Sequence, residues 1–155
     1  MRKTICSIIL VLFGISSAYG SEPSLKLTIK ADKPLYYAGD PVMVFYQLEN
    51  ISEKPVKILA WGGVFDLEKQ YVNLFEIKDA LGKERTWKGP DVNFPLPTKK
   101  DYITMEPGET LKNTYTLNLF YDVITPGSYL AECNKAVFGV ISNKIKIEIL
   151  GRDKA

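Results

Sequence analysis

The stretch that decides the fold is Pro97–Tyr129, PTKKDYITMEPGETLKNTYTLNLFYDVITPGSY. Two runs in it alternate apolar and polar residues, the pattern of strands with one buried face. Pro107-Gly108 and Pro126-Gly127 mark turns before the last two strands, and Tyr129 follows the second turn directly. A tyrosine entering a strand behind such a turn can fold its hydroxyl back onto upstream backbone, the tyrosine-corner device of immunoglobulin-like sandwiches. The spacing from Asp122 to Tyr129 suits that device and favours an all-β, immunoglobulin-like antiparallel sandwich of 7–9 strands over an eight-stranded closed barrel.

The pattern extends outward in both directions. Upstream, Leu25, Leu27 and Ile29 alternate in a first strand, and Val42, Val44, Tyr46 and Leu48 in a second, beyond a turn built on Asp32, Pro34, Gly39 and Asp40. Val56–Trp61 follows the polar turn Asn50–Pro55. Tyr71–Lys78 and Glu84–Lys88 read as a hairpin around Asp79–Lys83, and Tyr102–Met105 as a short strand. Leu111–Leu119 reads as the cleanest strand, with Leu111, Tyr115, Leu117 and Leu119 sharing a face. Tyr129–Cys133 and then Ile145, Ile147 and Ile149 complete the set. Sustained helical periodicity is absent after the N-terminal segment, and an irregular stretch spans residues 64–70. The longest loop is Gly89–Asp101, GPDVNFPLPTKKD.

Residues 1–20 read as an export signal. Arg2 and Lys3 precede an apolar run, Ile5–Ile15, too short to span a bilayer, and Ala18 and Gly20 suit a cleavage site before Ser21. An N-terminal anchor is the competing reading. Cys6 sits too early for a lipoprotein signal. Cleavage removes two basic residues and no acids, so 20 Lys+Arg become 18 against 18 Asp+Glu, a net charge of zero. That balance leaves no footprint for nucleic acid or an anionic membrane. The organisation expected is a signal peptide at 1–20, a single sandwich at 21–151 and a polar tail at 152–155. The location expected is periplasmic or extracellular. Cys133 is then the one remaining cysteine, so no internal disulfide is expected, and it reads as a small hydrophobe on the face of Tyr129 and Ala131.

The chemistry available is narrow. The sequence holds no histidine, which removes the base of Ser-His-Asp and Cys-His machinery and the usual ligands of catalytic zinc. It has no Gly-rich phosphate loop. No catalytic residue, metal ligand or cofactor site is expected. Asp66, Glu68, Asp91 and Asp101 are loop carboxylates that read as a solvated rim, and no stretch has the spacing of a calcium loop. Asn50-Ile51-Ser52 has the form of a glycosylation sequon. Tyr36, Tyr37, Trp61, Trp87 and Phe94 lie near strand ends or in loops, where they either plug the sandwich or meet a partner. The candidate interaction residues are Trp87, Asn93, Phe94 and Pro95; Tyr129 and Asp122 are assigned structural roles.

Several pieces together resemble a known domain. They are Phe75–Gly82, Trp87–Gly89, Pro97-Thr98, Asp101-Tyr102, Glu106–Glu109 and Leu119–Tyr129, with Gly39–Val42 and Leu48–Ser52 at the start. They resemble the β-sandwich domain that precedes the catalytic domain in deuterolysin-like (peptidyl-Lys) metallopeptidases. A weaker similarity joins Asp32–Tyr36 and Gly39-Asp40 to macroglobulin-type sandwich domains, and the strand pattern to bacterial proteinase-inhibitor sandwiches. The resemblance implies a sandwich and secretion. It implies no peptidase activity, because that family's HExxH zinc motif has no counterpart in a sequence without histidine. The function expected is an exported, non-enzymatic module that binds a protein partner, a peptidase being one option. The alternative is a peptidase inhibitor using the Gly89–Asp101 loop. A carboxylate-only hydrolase is a distant third.

Overall fold

The computed structural model describes residues 24–60, 72–93, 95–134 and 138–152. Residues 1–20, which read as an export signal, and Trp61, Asp66, Glu68 and Phe94 lie outside them. Among the described residues nine strands form the architecture: β1 (Leu25–Ala31), β2 (Tyr36–Tyr37), β3 (Met43–Asn50), β4 (Val56–Leu59), β5 (Phe75–Asp79), β6 (Tyr102–Met105), β7 (Thr110–Thr116), β8 (Gly127–Cys133) and β9 (Ile145–Leu150). One sheet has the order β1-β3-β7, the other β2-β9-β8-β5, and β4 pairs with β6. Every ladder is antiparallel except the two-residue pairing of β2 with β9. The two main sheets do not join edge to edge, so the barrel alternative falls and the chain is an immunoglobulin-like β-sandwich.

The core lies between the sheets. Leu25, Leu27, Ile29, Val44, Tyr46, Leu48 and Tyr115 face inward from the first; Phe75, Ile77, Tyr129, Ala131, Ile147 and Ile149 face them from the second. Strict alternation sets each register, because a one-residue slip would turn a whole face out to water. Cys133 is fully buried beside Ala131, and its amide donates to Ser142 Oγ. Burial pushes its thiol up to about 12, so it stays protonated and unreactive at neutral pH.

Asn50 serves the fold at the foot of β3. It is fully buried. Its Nδ2 donates to the carbonyls of Lys54 and Met105, and its Oδ1 accepts from the amide and hydroxyl of Ser52. The sequon is thus an internal turn lock: both amide protons are taken and no face of the side chain reaches water.

Two expectations fail locally. The strand read through Leu119 stops at Thr116 and becomes a helical turn, α1 (Leu117–Phe120). Asn118 is the cause. Its Oδ1 accepts from Val42 N–H and its Nδ2 donates to Asp40 carbonyl, so a side chain makes the bonds that further ladder would have made. Leu119 is consequently exposed. The hairpin read after β5 is reduced to an isolated Lys78–Glu84 bridge, with Asp79 N–H donating to Lys83 carbonyl and Arg85 N–H to Ile77 carbonyl; β5 takes its full ladder from β8 instead.

Candidate functional site

The Gly89–Asp101 loop leaves the sandwich at a fixed point. Trp87 forms a bridge with Tyr121, and the next amide, of Lys88, donates to Phe120 carbonyl. Lys88 Nζ also lies 3.0 Å from Asp122 Oδ1, and this pairing holds the Asp122 carboxyl below the usual carboxylate range. Asp122 therefore clips the loop's entry. Trp87 itself is half-buried, stacked on Phe120 with centroids 5.3 Å apart and edge-on to Tyr121 at 5.2 Å. A Cβ built on Gly89 would fall 2.0 Å from the indole, so only glycine lets the backbone cross the ring there. Trp87 is mainly the post on which the loop turns.

The exit is equally fixed. Asp101 Oδ2 accepts from the amide and hydroxyl of Thr98, closing a capping box on the 3-10 turn Lys99–Asp101. Those bonds hold its carboxyl below the ordinary range. The Asp101 carbonyl accepts from Ala60 N–H. Asp101 is thereby committed to structure, while Asp91 is exposed.

Between the two ends, Asn93 and Pro95 are exposed, and Phe94 lies outside the described residues. Two aliphatic residues that the sequence reading did not single out share the exposure. Val92 is 37% exposed and Leu96 is 89% exposed. Leu96 stands between Pro95 and Pro97. Pro95 has its own φ fixed, and Pro97 pushes Leu96 toward extended backbone. The Pro-Leu-Pro triplet was the available signal: its prolines restrict the backbone while nothing in the alternation gives the leucine a core face.

Tyr129 stands near the start of β8. Its hydroxyl donates to the Thr125 carbonyl at 2.8 Å and lies 2.7 Å from Thr125 Oγ1, with its ring beneath Arg85. A second tyrosine was not foreseen. Tyr121 donates its hydroxyl to Asn73 Oδ1 and accepts from Phe75 N–H, tying the segment after α1 to β5.

No family model and no curated protein matches the chain. Among solved structures, the β-glucosidase EmGH1 from Erythrobacter marinus aligns with a TM-score of 0.48 and 13% identity, over 82% of this chain and 15% of its own. The β-glucosidase from Listeria innocua in complex with isofagomine aligns at 0.45 and 14%, over 83% and 16%. The chain spans only those small shares of the two enzymes, and similarity at this level carries no argument about function.

Proposed function

We propose that the chain is an exported, non-enzymatic module that binds a protein partner through the Gly89–Asp101 loop. The observation that carries this is Leu96, an apolar side chain almost wholly in solvent on a loop fixed at both ends. Proline-stiffened backbone loses little entropy when a partner orders it, so an exposed leucine there is suited to be an anchor. The absence of histidine supports the non-enzymatic part of the reading. So does Cys133, whose buried, protonated thiol is not a nucleophile. Export rests on the signal-like residues 1–20, and the location proposed is the periplasm or the cell exterior.

The test is replacement of residues 91–97 by an equally long Gly-Ser segment, leaving Trp87, Gly89 and Asp101 in place. The variant should keep its melting temperature and lose co-purification of its partner from envelope and secreted fractions. Retained co-purification would reject the loop.

A peptidase inhibitor is the second reading, favoured by the extended Pro95-Leu96-Pro97 segment. Proline after leucine makes a poorly cleaved bond while the leucine side chain fills an apolar pocket. Stoichiometric inhibition of a peptidase with apolar specificity, lost on Leu96→Asp, supports it. A broad panel without inhibition rejects it.

A further inference from the structure

The outer face of the β1-β3-β7 sheet carries a second arrangement, independent of the loop. Register places Thr28, Gln47 and Lys112 in one cross-strand row and Lys30, Phe45 and Thr114 in the next. Their chain neighbours Leu27, Ile29, Val44, Tyr46, Leu48, Asn113 and Tyr115 are buried, so these six project outward. They line an open hollow of about 560 Å³, within the range of small-ligand sites. Phe45 sits at its centre on the middle strand, 46% exposed. Lys30 and Lys112 occupy diagonal corners and form no ion pair among the described residues. Strand spacing and rise put their Cα atoms about 12 Å apart.

We propose that this face binds an anionic saccharide, a short run of pyranose units carrying carboxylate or sulfate groups. Two unpaired lysines on a face whose central rows contain no acid call for negative charge at both ends of the ligand. The aromatic ring between them presents a flat π-face to the C–H groups of a sugar ring. Thr28 and Gln47 supply neutral donors and acceptors suited to hydroxyls. β3 is paired on both sides, so its backbone groups are consumed and the face can recognise a ligand only through side chains. That feature disfavours an extended acidic peptide, which is gripped best by free strand backbone. The single aromatic ring disfavours single-stranded nucleic acid, which needs successive stacking platforms.

Titration of the folded protein by amide NMR, with tetragalacturonate and a sulfated heparin-type disaccharide as separate probes, tests the proposal. At least one should shift the amides of Phe45, Gln47 and Lys112, and added NaCl should weaken the binding. Which probe binds identifies the anion as carboxylate or sulfate. Phe45→Thr, which retains a strand-favouring residue, and the pair Lys30→Gln with Lys112→Gln should each weaken binding by about tenfold or more. The lysine pair lies wholly on the exposed side, so it reports even where the Phe45 variant is less stable. Equal binding of maltotetraose overturns the anion requirement, and equal binding of hexaglutamate or an oligothymidylate overturns the saccharide. Shifts confined elsewhere, or no shift with either probe, overturn the site.

Discussion

Asn50→Ala removes a lock made entirely of one side chain. The Met105 carbonyl loses a buried donor at 2.9 Å, and the Lys54 carbonyl loses one at 2.8 Å while keeping the Ser52 hydroxyl. The Ser52 amide loses its acceptor at 3.0 Å and turns to water. One buried carbonyl deprived of this donor costs roughly 1–3 kcal/mol, and the small cavity adds about 1 kcal/mol. The expected loss is therefore about 3 kcal/mol. With a urea m-value of about 1.5 kcal/mol/M, the midpoint should fall by ~2 M at unchanged m. Asn50→Asp discriminates further. It puts a carboxylate against two carbonyls that now receive donors, in a fully buried position, and should be worse than alanine despite near-identical shape. Urea unfolding followed by tryptophan fluorescence measures both variants. A loss under 1 kcal/mol for alanine, or aspartate milder than alanine, would show that the Asn50 side chain does not lock this turn.

Tyr129→Phe deletes the hydroxyl that reaches back to Thr125 and should cost on the order of 1–2 kcal/mol by thermal melting; an unchanged melting temperature would show that the corner bond contributes nothing. Gly89→Ala forces a methyl into the Trp87 ring and should cost about 1–3 kcal/mol while shifting the near-UV circular dichroism of the Trp87–Phe120 stack; an unaltered spectrum would contradict the packing. The pH profile of stability follows from signs. Asp79, Asp101 and Asp122 have depressed folded pKa values, so their stabilisation is present above the unfolded value of about 4 and is lost as pH falls below it. Cys133 has a raised folded pKa, so unfolding is favoured once pH passes the unfolded thiol value of about 8.5. Between these limits no histidine titrates, and the melting temperature should be flat; a transition near pH 6.5 would contradict this.

The sandwich was legible because its evidence is local. Alternation in Leu25–Ile29 and Val42–Leu48 assigns inner and outer faces without knowledge of any partner strand. Tyr129 and Thr125 are four residues apart, so the corner bond needs only the Pro126-Gly127 turn between them. What was not legible depends on distant contacts. Tyr36–Tyr37 joins β9 across more than a hundred residues and carries only turn signals in its own neighbourhood. Leu117–Phe120 looks like continued strand until Asn118 meets Val42. Trp87 reads as a free loop aromatic because Phe120 and Tyr121, which cover it, are far along the chain. Asn50 reads as a sequon because its lock closes on Met105. Leu96 escaped notice for a different reason: at 89% exposure it belongs to no core face that alternation could assign, and the prolines beside it are the one local signal.

The central claim is that the Gly89–Asp101 loop is the surface through which the protein meets its partner. Leu81, 95% exposed in the turn after β5, is the matched control for Leu96. A photo-crosslinking phenylalanine analogue placed at each position in turn, in cells that naturally express the protein, gives the most direct measurement. One discrete adduct is expected from position 96, displaced by excess unmodified protein, and none from position 81. No adduct from position 96, or the same adduct from both positions, would contradict that claim.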